Sequence, residues 1–405
     1  MPAGKSVRGG RAPRPVFVAV ALVASLAVAC DDTPTGTGGG GAATTSTTSS
    51  TSTGTSVKEV LGCDGAKLLE NPADTSARGP WTVGARTVKL GALTAEVWYP
   101  AIPPTSATTP KTYDLRQWLP DSEKPKITDD KAPLQTCDCV DALPIDDAHG
   151  PYPVVVFVHG TAGFRTQSLE IETHWASRGF IVVAADHPGL YLQNLIESIC
   201  GQGNTPQDLA GDLATVVAAV KSPTGDLAFL EGHVDSVRLA MSGHSAGGGA
   251  VETQGDVAKV LIPMAAGGTV AGSALESTLV LGSKEDQVVS FSKTLDGYLA
   301  SPKPRRLVEI SPGGHLVYSS LCQIQNAAGQ DIVTIGKEAN VCGLNLAGAL
   351  FDCAPEYVSG ERGWAIVDDA TSAVLEQTLH CQDRTAALST LKSRYPEITD
   401  YRDEP

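Results

Sequence analysis

Apolar residues in this chain gather into short, nearly unbroken runs, and the runs recur between Val154 and Ile310. Val154–Val158, Phe180–Ala185, Val237–Met241, Val260–Pro263, Thr278–Gly282 and Leu307–Ile310 are all of this kind. A strand with one wet face alternates apolar and polar side chains; a run without alternation predicts a strand buried on both faces of a parallel sheet. Segments with helical spacing lie between the runs. Ser168–Arg178 is one, and Asp208–Val220 is another, with Leu209, Leu213, Val216, Val217 and Val220 on one face. The alternation predicts an α/β fold with a mostly parallel central sheet and helices on both faces. Upstream, Thr82–Leu90 and Leu93–Tyr99 predict a hairpin turning at Gly91. Residues 100–150 carry Pro, Asp, Thr and Lys without periodicity and predict a long irregular excursion, with Cys137 or Cys139 as candidate pins. Gly363–Arg394 predicts a largely helical stretch with Cys381 inside it.

The first 56 residues do not fit this pattern. Lys5, Arg8, Arg11 and Arg14 precede an apolar run, Val16–Ala29, that is too short to span a bilayer comfortably and reads as an export signal over residues 1–29. Ala27-Val28-Ala29 fits an ordinary signal-peptidase site. Leu26-Ala27-Val28-Ala29-Cys30 resembles a bacterial lipoprotein signal, with Cys30 lipidated as the mature N-terminus, although Ala27 stands where that motif usually has Leu. Residues 31–56 are Thr, Ser and Gly with almost nothing apolar, the composition of a flexible tether. The expectation is one folded domain over 57–405, with the 100–150 excursion and a Cys-bearing segment at 319–405.

Composition narrows the function. The formal charge is -15, and losing the four cations of the signal takes it to -19. With aromatics at 5%, neither phosphate-backbone attraction nor base stacking is available, which argues against nucleic acid. Of nine cysteines, eight remain if Cys30 carries lipid. An even set in an exported chain points to disulfides, buried free thiols being the alternative. No metal or nucleotide motif follows a strand, and no cofactor is expected.

The chemistry centres on Gly243-His244-Ser245-Ala246-Gly247, directly after the run at Val237–Met241 and before Gly248-Gly249-Ala250. A serine lifted on a strand-to-helix turn needs small neighbours, and the turn frees the Ala246 N–H to face an oxyanion. His159-Gly160-Thr161-Ala162-Gly163 follows the run at Val154–Val158, and Thr161 is the candidate for the second donor, with His159 bracing the loop. A serine nucleophile needs a base and an orienter. Asp286 lies just past Thr278–Gly282, with Glu285 as fallback. His315 follows Leu307–Ile310 on a Gly-rich loop, where ligands of parallel sheets gather. His380 is placed in a helical stretch, remote from any strand end. His244 is expected to pack, and His187 either lines the cleft or is structural.

Residues His159–Ser168, Ala176–His187 and Asp235–Gly249, with His315 beyond them, resemble the platelet-activating-factor acetylhydrolase and dienelactone-hydrolase-like group of α/β-hydrolases, with cutinase-like polyester hydrolases as near neighbours. The resemblance covers roughly residues 82–320. It implies a Ser245–Asp286–His315 triad, an oxyanion hole at Thr161 and Ala246, and cofactor-free hydrolysis of short-chain or compact esters. The expected partner is a small-molecule or lipid ester, with membrane contact only through an N-terminal lipid, and a monomer. The competing functions are a serine peptidase or amidase on the same triad, a polyester or lipid hydrolase, and a non-catalytic lipoprotein that binds a ligand in a hydrolase-shaped cleft.

Overall fold

The computed structural model describes residues 58–345, 350–358 and 360–405; the expected signal, Cys30 and the 31–56 tether lie outside the described residues. In chain order the strands are β1 (Glu59–Leu61), β2 (Lys67–Leu69), β3 (Thr82–Leu90), β4 (Leu93–Ala101), β5 (Thr112–Asp114), β6 (Leu134–Thr136), β7 (Val140–Asp141), β8 (Tyr152–Val158), β9 (Ile181–Asp186), β10 (Val234–His244), β11 (Val260–Met264), β12 (Ser277–Ser283), β13 (Arg305–Ile310) and β14 (Ile398–Glu404). The helices are α1 (Leu169–Ser177), α2 (Leu192–Ile199), α3 (Leu209–Lys221), α4 (Ala246–Val251), α5 (Phe291–Ala300), α6 (Ile332–Glu338), α7 (Gly360–Leu379) and α8 (Thr385–Arg394).

Ten strands form one sheet in the order β14-β13-β12-β11-β10-β8-β9-β4-β3-β7. From β9 through β13 every pairing is parallel; β4 on β9, the β3–β4 hairpin and β14 on β13 are antiparallel. All six apolar runs are strands of this sheet. Their lack of alternation has the expected cause, since successive residues enter two different cores. Val155, Phe157, Val182 and Ala184 pack with α1 and α7 on one face. Val154, Val156, Val158, Ile181 and Val183 pack with Leu213, Val216 and Val220 of α3 on the other.

One expectation is corrected. Cys137 and Cys139 bond to each other and pin the excursion to nothing else. The excursion is held by Trp118, which is buried, stacks on Phe164 with ring centroids 4.2 Å apart, and donates its indole N–H to Asp186 at the end of β9. Gly363–Arg394 is largely helical as expected, in two helices, and Cys381 sits in the break between them with φ +55°, bonded to Cys63. His380 is likewise past the end of α7, buried against Phe180 and Gly179. The remaining bridges are Cys200–Cys342 and Cys322–Cys353, so all eight described cysteines are paired.

Candidate active site

Parallel β10 and β8 end side by side, and the site grows from those two ends. At the end of β10 the chain reverses into α4 through Ser245, whose φ of +55° and ψ of -117° is a conformation L-residues rarely adopt. The turn closes only because its flanks have no side chain. A Cβ on Gly247 would sit 2.1 Å from the Val158 carbonyl oxygen, and one on Gly243 would sit 2.4 Å from the Gly247 carbonyl oxygen. The Ser245 N–H is held by the Met264 carbonyl at 2.9 Å. After β8 the 159–163 loop passes so near the serine that a Cβ on Gly160 would meet the Ser245 Cβ at 3.2 Å. Among the described residues neither the Thr161 nor the Ala246 N–H finds an acceptor.

His315 and Asp286 come together from the ends of neighbouring β13 and β12. The His315 Nδ1 lies 2.8 Å from Asp286 Oδ2, and both residues are buried. The other Asp286 oxygen accepts the N–H groups of Val288 and Val289, each at 2.7 Å, which fixes the carboxylate in place. Glu285 has a different job. It accepts Ser311 Oγ at 2.8 Å and the Gly313 N–H at 2.9 Å, and so braces the loop that carries His315. Ser245 and His315 line the same pocket; no hydrogen bond joins them among the described residues.

Two further residues support this geometry, and sequence reasoning missed both. Gln167 accepts the Gly160 N–H at 3.0 Å and meets His244 Nδ1 through its own amide at 2.9 Å. His244 Nε2 in turn lies 2.8 Å from the His315 carbonyl. Burial depresses the His244 pKa well below the usual histidine value, and the nearby His315 adds to the effect. A neutral ring with its proton on Nε2 satisfies both contacts: Nδ1 accepts from Gln167 and Nε2 donates to His315. One amide and one imidazole thus link the 159–163 loop, the serine turn and the histidine loop. The second residue is Asp352, whose Oδ2 accepts the N–H of His315 at 2.9 Å and of Gln287 at 3.3 Å.

Two other histidines near the site brace its loops. His159 donates from Nδ1 to the Gly160 carbonyl at 2.8 Å and accepts the His187 N–H on Nε2; burial lowers its pKa to about 3, keeping it neutral. His187 lies 3.2 Å from Asp212 and does not line the pocket, which resolves its two readings in favour of structure.

The pocket in front of Ser245 has a cavity volume of about 170 Å³ and is mostly aliphatic. A ten-stranded, mostly parallel sheet, helices on both faces and a strained serine turn at the end of a central strand make this an α/β-hydrolase type of fold. A family model described as Chlorophyllase matches residues 140–254. The matched span holds the 159–163 loop and Ser245 and ends before Asp286 and His315. No curated protein matches the chain. The family match and the fold agree on a hydrolase of this type.

Proposed function

We propose that this protein is an exported serine hydrolase that cleaves carboxylic esters through an acyl-enzyme on Ser245. The observation that carries the reading is the 2.8 Å contact between His315 Nδ1 and Asp286, on a ring that opens onto the same pocket as Ser245. With Nδ1 engaged, His315 Nε2 is the nitrogen that takes a proton. Substrate draws it and Ser245 Oγ into hydrogen-bond reach. Nε2 then accepts the hydroxyl proton as Oγ attacks the ester carbonyl. Asp286 holds the imidazolium, and the N–H groups of Thr161 and Ala246 receive the oxyanion. Collapse expels the alcohol with the proton from Nε2. Water, deprotonated by the same nitrogen, attacks the acyl-enzyme and releases the acid.

The chlorophyllase likeness over 140–254 supports an esterase. Four disulfides support an oxidising compartment, and no described helix is long and apolar enough to cross a membrane. Attachment through a lipid on Cys30 completes the reading; the mass of the mature N-terminal peptide tests it. The activity is tested with oxidised protein on p-nitrophenyl esters. Ser245→Ala should lower kcat on the order of 10⁶-fold. Retained turnover in a folded Ser245→Ala protein sinks the assignment, and a matching anilide turned over faster than the ester makes the protein an amidase.

A further inference from the structure

Three segments outside the sheet converge on the pocket in front of Ser245. The 100–150 excursion contributes Leu119 and Ile127, α2 contributes Ile196, and the stretch after His315 contributes Ile335 and Val341. These five side chains are buried and form one cluster. Cys200–Cys342 ties the residue after α2 to the residue after Val341, so two of the three segments are joined covalently at the cluster.

Apart from Arg116, the polar part of the lining is confined to the reacting end. Thr161, Gln167, His244, Ser245 and His315 form it, and Gln167 and His244 bond to each other. Arg116 is the single charged side chain among the described lining residues, and it is already neutralised. Its guanidinium meets Asp114 at 2.6 Å, Asp129 at 2.7 Å and the Ile127 carbonyl at 3.0 Å. Away from the reacting end, no described lining side chain is free to receive a carboxylate or phosphate.

We propose that this pocket binds an aliphatic arm, longer than acetyl and without charge, of a neutral ester. The inference rests on the reading of Ser245 as nucleophile. The wall gives the reason. A methylene leaving water for the Leu119–Ile127–Ile196–Ile335–Val341 cluster raises kcat/KM about fourfold if its burial is felt in the transition state. A charged group carried into the same cluster meets no partner, and its desolvation goes uncompensated. Either end of an ester can supply such an arm, as acyl chain or as alcohol.

The test uses the oxidised full chain and two series: p-nitrophenyl acetate to octanoate, which lengthens the acyl arm, and ethyl to octyl acetate, which lengthens the alcohol arm. In the series whose arm enters the pocket, kcat/KM should rise on the order of 10² between two and six carbons. Ile335→Phe and Ile196→Phe, each filling the wall, should cut the six-carbon to two-carbon ratio at least tenfold in that series, with unfolding curves reporting the fold. A p-nitrophenyl hemiadipate, which ends the arm in a carboxylate, should be turned over at least tenfold less well than the hexanoate. Flat profiles in both series with Ser245-dependent hydrolysis overturn the pocket inference and leave the esterase reading intact. Equal turnover of the hemiadipate overturns the uncharged arm. If no ester is hydrolysed, the esterase reading fails, and displacement of Nile red from Ser245→Ala protein by hexyl acetate judges the pocket alone. Displacement that weakens at least tenfold in the double variant with Ile335→Phe supports it, and no displacement overturns it.

Discussion

Asp352→Ala probes how the imidazole is held without touching the reacting groups. Asp352 Oδ2 accepts two backbone N–H groups, that of His315 at 2.9 Å and that of Gln287, next to Asp286, at 3.3 Å. One carboxylate therefore ties the base-bearing loop to the acid-bearing loop. Its own position is fixed by the adjacent Cys353, bonded to Cys322 seven residues after His315. A hydrogen bond to a charged acceptor contributes about 1.5–3 kcal/mol. The lower end applies here, because the site is half-buried and the second contact is long, so the variant should lose about 1.5 kcal/mol of stability. The larger effect is on rate. A 1 Å misplacement of a catalytic group costs on the order of 10²-fold, and freeing His315 on one side should lower kcat about 10- to 100-fold. Asp352 does not line the Ser245 pocket, so KM should hardly move. Asp352→Asn keeps an oxygen acceptor and should recover part of kcat. Steady-state kinetics on one p-nitrophenyl ester, paired with urea unfolding, separates the two effects. A folded Asp352→Ala protein with wild-type kcat, or one whose loss lies wholly in KM, refutes a positioning role.

Glu172 on α1 is buried with neither carboxylate oxygen partnered, and burial, with Glu96 nearby, pushes its pKa well above the usual carboxylate value. The folded protein therefore keeps a proton that the unfolded chain has released above its ordinary pKa of 4.5, and stability falls as pH rises from there toward the raised value. Glu172→Gln should flatten that fall in thermal unfolding midpoints across the range; an unchanged slope removes Glu172 as its source. Gly247→Ala should abolish soluble protein or cost about 3 kcal/mol or more, since its Cβ meets the Val158 carbonyl oxygen at 2.1 Å and neither side is a flexible side chain. A urea midpoint equal to wild type contradicts the tight approach of the start of α4 to the end of β8.

Much of the sheet was legible because burial on two faces leaves an unmistakable mark on sequence. Strand β14 was not legible: Ile-Thr-Asp-Tyr-Arg-Asp-Glu pairs on one side only, and its charges pair with Arg305 and Arg306 of β13 rather than facing a core. The break between α7 and α8 escaped notice because a single left-handed residue, Cys381, makes it, without Gly or Pro to announce it. At the site, Ser245, Asp286 and His315 could be located because each follows a strand end. Gln167 and Asp352 could not, since their partners lie far along the chain or in backbone amides that no residue pattern records. The pocket wall drew on the segments with the least periodicity, so the size of its apolar arm was invisible in the chain.

The Cys63–Cys381 bridge has a mechanical consequence. It closes a covalent ring that contains Ser245, Asp286, His315 and every strand of the large sheet except β14. When the chain is pulled between its two ends, residues up to Cys63 and residues after Cys381 take the load, and the bridge carries the force from one to the other past the ring. The nucleophile, the base and the pocket lie off that line of tension. While the bridge is oxidised, such a pull can strip β14 from its edge before it can extend any strand that carries the site.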